Sequence, residues 1–242
     1  MLSRFAIAFI ALSSAVAIAA CSSYSSSTVG GNGTGPNFPS QTLYATNSNQ
    51  NAISIYTSGQ KSGSGPSYQI GGSNTQLDGP QYVAFDSSRN LWVTNYSSST
   101  NSAKLVELAA LATGNVVPLG TTPVAGHLRG IAITPKATAT ASPAAMRGPR
   151  AASPSPSASP TQAPELMIIS DVIPTAVYPS QLLLFIEGTT QPYQSIAGPN
   201  PNLNVPGGVA LDSHDNIYVT NVQGHSVDKF VLPTPSPTPK PT

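Results

Sequence analysis

The stretch GPQYVAFDSSRNLWVTN at Gly79–Asn95 returns later in the chain as PGGVALDSHDNIYVTN at Pro206–Asn221. Aligned without a gap from Val83 and from Val209, the two copies agree at eight of thirteen positions. Each copy holds two runs of β-branched and aromatic residues around a short polar turn, which predicts two antiparallel strands. Neither run alternates cleanly between apolar and polar residues, so both faces of these strands are expected to be buried. Internal repetition of this kind predicts a repeat architecture of small stacked sheets.

Fainter copies of the same strands occur elsewhere in the chain. Copies of the second strand are LYATN at Leu43–Asn47 and MIISD at Met167–Asp171, and a copy of the first is GIAITP at Gly130–Pro135. Third strands are predicted in four segments of similar composition, which are ISIY from Ile53, KLVEL from Lys104, LLLFIE from Leu182 and VDKFVL from Val227.

The spacing of these copies predicts the fold class. The anchor residues that end the second strands lie 48, 76 and 50 residues apart and are Asn47, Asn95, Asp171 and Asn221. Without a low-complexity insert of about 28 residues, the middle spacing becomes about 48, within the ~40 to 50 residues of one four-stranded propeller blade. We therefore predict an all-β chain, a β-propeller of about four blades that is incomplete or open. Blade one lacks a recognisable innermost strand, and no outermost strand follows Leu232.

The repeated segments resemble NHL repeats, in which a Gly-x-Ala-Val-Asp strand and a Tyr-Val-Thr-Asp strand precede an Asn-His-Arg-Ile-like loop. The segment GGVALDSHDNIYVTNVQGHSVDKF carries this pattern most fully, and related sequences occur in streptogramin-lyase-like and gluconolactonase-like propellers. The resemblance extends over about Leu43–Leu232 and implies a propeller, usually of six or seven blades in these families. A chain with about four blades departs from that number.

The N-terminus predicts export. Residues 1–20 have one basic residue, Arg4, then an apolar run and small residues, which is typical of a secretory signal rather than a spanning helix. The end of this segment, IAAC, resembles a bacterial lipobox with Cys21 as the lipid-attachment residue. Cys21 is the only cysteine of the chain, and a buried structural cysteine is the alternative. We expect a membrane-anchored lipoprotein on the periplasmic or extracellular face of a bacterial cell envelope.

Low-complexity segments divide the rest of the chain. Residues 21–42 are rich in Ser, Gly, Asn and Thr and are expected to form a disordered tether. The propeller domain is assigned to residues 43–232, with a disordered Ala/Ser/Pro insert at 136–164 between the first and second strands of blade three. The Pro-rich tail covers residues 233–242.

Composition excludes some functions. Charged residues make up 8% of the chain, against about 25% in typical soluble proteins, and the formal net charge is +1. We therefore expect no nucleic-acid partner. The sequence has no Gly-rich phosphate loop, nucleophile elbow or paired-His zinc motif, so no cofactor, metal ligand set or catalytic residue is predicted. Asp86 and Asp212 are interpreted as turn formers that accept backbone amide hydrogens.

One group of candidate binding residues remains. Gln81, Arg129 and Gly207 are predicted at equivalent positions just before the innermost strands, at the mouth of the central channel. Arg129 with His127 could bind an anionic group there. An exposed rim arginine is the alternative, and His127, His214 and His225 are each more simply explained as exposed loop residues.

Three functions stay open at this point. The first is a non-catalytic envelope lipoprotein whose propeller binds an unknown protein or glycan partner. The second is a propeller-type lyase or lactonase, which would need polar groups that converge in the channel. The third is a truncated propeller copy that assembles as a homo-oligomer through its open edges.

Overall fold

Short antiparallel strands make up most of the computed structural model, which describes residues 42–135, 164–173, 180–198 and 201–233. Each sheet follows chain order, as expected where short polar turns join neighbouring β-rich runs. The fourteen strands of these ranges are β1 (Thr42–Asn47), β2 (Ala52–Thr57), β3 (Tyr68–Gly71), β4 (Pro80–Phe85), β5 (Leu91–Ser97), β6 (Ser102–Leu108), β7 (Gly120–Val124), β8 (His127–Ile133), β9 (Leu166–Val172), β10 (Ser180–Ile186), β11 (Gln194–Ala197), β12 (Pro206–Leu211), β13 (Asn216–Asn221) and β14 (Ser226–Val231).

The strands form four antiparallel sheets, which we call blades one to four. Blade one is β1-β2-β3, blade two β4-β5-β6-β7, blade three β8-β9-β10-β11 and blade four β12-β13-β14. The predicted first, second and third strands are confirmed. The outermost strands β3, β7 and β11 were not identified from the sequence, because they are only four or five residues long and largely polar.

The blades pack side by side as an open four-bladed propeller, in agreement with the predicted fold class. The innermost strands of blades two, three and four are in contact, β4 with β8 and β8 with β12, and β1 of blade one contacts β4. Among the described residues no strand pairing joins blade one to blade four. In the part of the chain that the structure describes, blade one has no strand equivalent to β4, since β1 corresponds to the second strand of the repeat, and blade four has no outermost strand.

Three apolar clusters lie between the blades. The first joins blades one and two, where Tyr44 packs edge-on against Phe85 with ring centroids 4.9 Å apart, and burial raises the pKa of Tyr44 to about 12. The second joins blades two and three around Trp92 and Phe185, and the third joins blades three and four around Ile168 and Val219. Face-to-face burial of apolar side chains between sheets therefore stabilises the arc.

Burial on both faces is confirmed for β5 and is wrong for β13. The first five residues of β5 are all buried, whereas Thr220 and its neighbours on the outward face of β13 are not. The two strands differ because of where their blades lie in the arc. Blade two packs between blades one and three, whereas blade four packs against blade three alone among the described residues.

The insert of blade three falls between β8 and β9, as predicted. Residues 136–163 lie outside the described residues, as do the signal segment, the tether and the end of the tail. Across the insert, the Thr134 hydroxyl accepts a hydrogen bond from the Leu166 amide at 2.8 Å. Thr134 stands where the other two copies have an aspartate, so this bond closes the strand pair without a tight turn. Within the described ranges, no helix is long and apolar enough to cross a membrane.

Candidate functional site

The innermost strands all begin at one end of the arc, which we call the mouth. Gln81, Arg129 and Gly207 lie within the first three residues of β4, β8 and β12, so the structure places these predicted residues at one end of adjacent strands. Second strands end at this level too, because Pro80 pairs with Asn95 and Pro206 with Asn221.

An equivalent hydrogen bond crosses each of the three blade interfaces at the mouth. The Thr46 hydroxyl donates to the Gln81 carbonyl at 2.8 Å, and the Thr94 hydroxyl to the Arg129 carbonyl at 2.6 Å. The Ser170 hydroxyl donates to the Gly207 carbonyl in the same way. Gln81, Arg129 and Gly207 thus occupy equivalent positions, but within the innermost strands and not just before them as predicted, because pairing with the second strands begins at Pro80, His127 and Pro206. Their carbonyl oxygens have a structural role that reasoning about side chains did not anticipate.

The centre of the arc is narrow at this level. Tyr82 on β4 reaches towards β12, and a Cβ added to Gly208 would lie 3.9 Å from the Tyr82 ring. Gly130, at the equivalent position of β8, lies so close to β12 that an added Cβ would be 2.4 Å from the Gly207 carbonyl oxygen. Tyr82 and these glycines occupy equivalent positions, and the aromatic ring uses the space that the glycines leave.

A polar cleft of about 330 Å³ opens between blades one and two at the mouth. Its walls include Asp78, Gln81 and Tyr96, together with serine and asparagine side chains of the neighbouring turns. Gly79 fixes its floor, because it has a φ of +64° and an added Cβ would lie 2.1 Å from the Tyr96 carbonyl oxygen. The Gly79 amide donates to Asn51 Oδ1 at 2.8 Å, which ties the cleft to blade one.

His127 is the first residue of β8 and is only partly exposed, so its interpretation as an exposed loop residue is wrong. It lies behind the Tyr96 wall of this cleft. The two rings stack with centroids 3.9 Å apart and an interplanar angle of 32°. Burial, and then the positive charge of Arg129, lower the pKa of His127 below its ordinary value, which favours the neutral imidazole. The Gln81 side chain donates to the Gly79 carbonyl at 3.1 Å. Of the candidate side chains, Gln81 therefore lines the cleft and His127 contacts its Tyr96 wall, whereas Arg129 is not part of the lining. Binding by these residues stays a prediction.

The other two histidines have no place in this cleft. His214 is exposed in the β12–β13 turn, and its backbone amide donates to Asp212 at 2.8 Å. His225 is exposed with a φ of +50°, in a turn where Asn51 and Asn101 have the same left-handed conformation in blades one and two. Turn geometry accounts for the NHL-like position of His225.

Asp86 and Asp212 shape equivalent turns at the opposite end of the blades. Asp86 accepts from the Asn90 amide at 2.8 Å and from the Trp92 indole at 3.1 Å. Asp212 accepts from the Asn216 amide at 3.0 Å and from the Tyr218 hydroxyl at 3.2 Å. Hydrogen bonds from Asn216, with those from His214 and Tyr218, hold the pKa of Asp212 well below its usual range.

A carboxylate cluster at this opposite end was missed by the sequence reasoning. Oxygen atoms of Asp86, Glu165 and Glu187 lie within 4.8 Å of one another, and Asp86 and Glu165 are buried. Carboxylates at this spacing could reach one hard cation. Glu165 also accepts the Ser87 amide at 2.9 Å, which links blade three to the first turn of blade two. The three residues are far apart in sequence and meet only through blade packing, so no local motif marks them.

Two carboxyl groups have raised pKa values for the same main reason. Burial, then the charge of Asp86, raises the pKa of Glu107 beside this cluster. Burial raises the pKa of Asp171, which is fully inaccessible to solvent. Asp171 Oδ2 accepts from Gln181 at 2.9 Å, while Oδ1 has no hydrogen-bond partner among the described residues. The amides of Val172 and His127 pull the pKa of Asp171 in the opposite direction without forming a well-aligned bond to Oδ1.

No protein-family model and no curated protein matches the sequence. Among solved structures, the chain is similar to a catalytically inactive variant of virginiamycin B lyase from Staphylococcus aureus, crystallised with quinupristin. The TM-score is 0.32 and the sequence identity 11%, over 81% of this chain and 53% of the lyase chain. The chain thus spans about half the length of that enzyme.

Proposed function

We propose that this chain is a non-catalytic binding and scaffolding module of the NHL-like propeller type, held on a bacterial cell envelope by a lipid on Cys21. The proposal rests on one observation, which is that the polar groups at the mouth form hydrogen bonds within the fold. Hydroxyls of Thr46, Thr94 and Ser170 tie the blades together, and the Gln81 side chain bonds to the backbone. Such a constellation favours rigid presentation of a surface over proton transfer.

The polar cleft supports a hydroxyl-rich ligand such as a glycan. Amide and hydroxyl side chains supply donors and acceptors without a fixed charge, and Tyr96 adds an aromatic wall whose position is held by His127. Asp78 is the one acidic residue of the lining. A chain that is exported, as proposed here, would meet such a partner in the cell envelope.

A metal-dependent lactonase is the second candidate, and only the carboxylate cluster favours it. Against it, both oxygens of Asp86 already accept hydrogen bonds, and Glu165 accepts the Ser87 amide. Lactone hydrolysis that is abolished by a chelator would support this candidate and overturn the non-catalytic proposal.

The binding proposal is tested by titrating the processed chain with a panel of oligosaccharides of N-acetylhexosamines and neutral hexoses. We expect at least one to bind, and Tyr96→Ala and Asp78→Asn to weaken its affinity by about tenfold or more. Tyr68→Ala, a change at a partly exposed tyrosine of blade one away from the cleft, is the matched control. Absence of binding to every sugar, with no envelope protein captured by cross-linking, would contradict the proposal.

The lipid anchor is tested separately, in cells that express the full-length chain. Cys21→Ser is expected to release the protein from the membrane fraction, because the lipid-attachment residue is lost.

A further inference from the structure

A second cavity, of about 300 Å³, lies between the outer strands of blades two and three. Its blade-three wall is one face of β10, because Gln181, Leu183 and Phe185 alternate along that strand. Its blade-two wall includes Val124 at the end of β7 and Ala125 after it. Leu183 and Phe185 are 5% and 0% exposed and belong to the cluster that joins the two blades. The cavity therefore adjoins the apolar core between these blades.

The chain packs an apolar side chain from an equivalent segment into each of the other two blade interfaces. After the third strand of blade two, residues 109–119 pack Ala112 and Val116 against the cluster between blades one and two. After the third strand of blade four, Leu232 packs against the cluster between blades three and four. The segment after the third strand of blade three, residues 187–193, is shorter than residues 109–119 and contributes no side chain to the cluster between blades two and three. Among the described residues, the middle interface thus has a cavity where the other two have an apolar group.

The walls of this cavity are uncharged and largely apolar, and Gln181 is the polar side chain of the β10 wall. Gln181 Nε2 donates to Asp171 Oδ2 at 2.9 Å, whereas Gln181 Oε1 accepts no hydrogen bond from the described residues. Because Asp171 engages the amide nitrogen, the group that Gln181 can offer to a ligand is a hydrogen-bond acceptor. The exposed residues Thr190 and Gln191 of the β10–β11 loop leave the cavity open to solvent.

We propose that this cavity binds a neutral small molecule that has a branched or cyclic aliphatic body and one hydroxyl group. The aliphatic body packs against Leu183 and Phe185, as Ala112 and Val116 pack in the neighbouring interface, and the hydroxyl donates to Gln181 Oε1. A charged ligand is disfavoured, because no lining residue has an opposite charge to offset the loss of its hydration. The cavity volume lies at the lower end of the range of ligand pockets, which is about 300–1,000 Å³.

This site is separate from the polar cleft between blades one and two and does not rest on the proposed function. A chain that binds no oligosaccharide can still bind an aliphatic alcohol here. A chain that binds no alcohol can still bind sugars in the polar cleft.

The test titrates the processed full-length chain with cyclohexylmethanol. Binding is followed by calorimetry and by the emission of Trp92, the only tryptophan, which belongs to the same cluster as Leu183 and Phe185. We expect a Kd below about 1 mM. Cyclohexylmethyl methyl ether has no hydroxyl donor and is expected to bind about fivefold or more weakly. Cyclohexanecarboxylate carries a charge and is expected to bind about tenfold or more weakly.

Two variants locate the binding site. Ala125→Leu adds bulk to the blade-two wall and is expected to weaken cyclohexylmethanol binding by about tenfold without lowering the thermal unfolding temperature. Its matched control is Ala110→Leu, the same change at an exposed alanine that does not line the cavity, which is expected to leave binding unchanged. Gln181→Met removes the acceptor and is expected to bind the alcohol and the ether with equal affinity. The ratio of these two affinities is the readout, so a change in stability does not affect it while the variant is folded.

Three results would overturn the proposal. They are no binding of cyclohexylmethanol up to its solubility limit, equal affinity of the wild-type chain for all three probes, and equal effects of Ala125→Leu and Ala110→Leu. Binding that appears only after Val177→Ser, Tyr178→Ser would identify residues 174–179, which lie outside the described residues, as the occupant and would also overturn it.

Discussion

Blades two and four contain nearly the same sequence in different surroundings. Thr94 of blade two is fully buried, and its counterpart Thr220 of blade four is exposed. Leu105 is 1% exposed, whereas Val227 at the equivalent place is 63% exposed. This difference shows that the burial of a residue depends on the position of its blade in the arc. Among the described residues, blade two has a neighbouring blade on each side, whereas blade four has one.

Local geometry, in contrast, is the same in both blades. The aspartate after each innermost strand accepts an amide of the turn and a polar hydrogen from the aromatic residue of the next strand. Arg89 and Asp215 both have left-handed backbone conformations, with φ of +69° and +58°. Short-range hydrogen bonds therefore form in each copy independently of what covers it.

The largest expected difference between the blades is at the aromatic residue of the second strand. Trp92 is 7% exposed within the cluster between blades two and three, so Trp92→Ala is expected to cost about 3–5 kcal/mol of unfolding free energy. Tyr218 is partly exposed, and Tyr218→Ala is expected to cost roughly 1 kcal/mol. Because Trp92 is the only tryptophan, unfolding in denaturant should be followed by far-UV circular dichroism.

The variants Trp92→Phe and Tyr218→Phe provide the control for this comparison. Each removes a hydrogen bond to the turn aspartate and keeps an aromatic ring. Similar losses of unfolding free energy for Trp92→Ala and Tyr218→Ala would break the comparison.

A smaller difference is expected between two equivalent glycines. At Gly130 an added Cβ would lie 2.4 Å from the Gly207 carbonyl oxygen and 2.6 Å from the Val209 amide, both backbone atoms. Gly130→Ala should therefore separate blades three and four and cost about 1–3 kcal/mol. At Gly208 the contacts would be ordinary, 3.8 and 3.9 Å, so Gly208→Ala should be neutral or should stabilise by about 0.4–1 kcal/mol. Urea unfolding of both variants tests this difference. Equal changes in unfolding free energy would show that β8 and β12 lie farther apart than described.

The smallest expected effect on stability concerns the anchor residues that end the second strands. Asp171 stands where blades two and four have Asn95 and Asn221. Because burial raises its pKa above that in the unfolded chain, Asp171 stabilises the fold below the ordinary pKa of aspartate. This contribution is lost as the pH rises through the raised pKa. Asp171→Asn should remove that pH dependence and add about 1 kcal/mol at neutral pH.

Asp212→Asn is the control for this change, because the pKa of Asp212 is lowered rather than raised. The stabilisation from Asp212 is present above the ordinary pKa of aspartate and is lost as the pH falls through the lowered pKa. We therefore expect Asp212→Asn to lower stability at neutral pH. Unfolding in denaturant at acidic and at neutral pH compares the two, and a loss of stability at neutral pH in Asp171→Asn would contradict the assigned cause.

Much of the fold could be predicted from the sequence, because the repeat is a local pattern. The paired strands, their polar turns and the site of the insert follow from short-range alternation and turn chemistry. The outermost strands were missed, since β3 and β11 have four residues each with little apolar character. Their pairing depends on the third strand beside them.

The candidate site could be predicted only in part. The equivalence of Gln81, Arg129 and Gly207 came from the repeat register, and the structure brings them to one end of adjacent strands. Tyr96 and Asp78 were not identified, because the cleft between blades one and two depends on how two separate sheets pack. The carboxylate group of Asp86, Glu165 and Glu187 was missed for the same reason.

The sequence by itself determined the repeated unit, the number of its copies and the turn residues that shape each one, because these depend on contacts between residues close along the chain. Only the tertiary structure decided which copies are buried, which hydroxyls meet a carbonyl of the next blade and which one, Thr220, faces solvent. Those properties depend on packing between blades that are tens of residues apart, so two similar segments can differ in them completely.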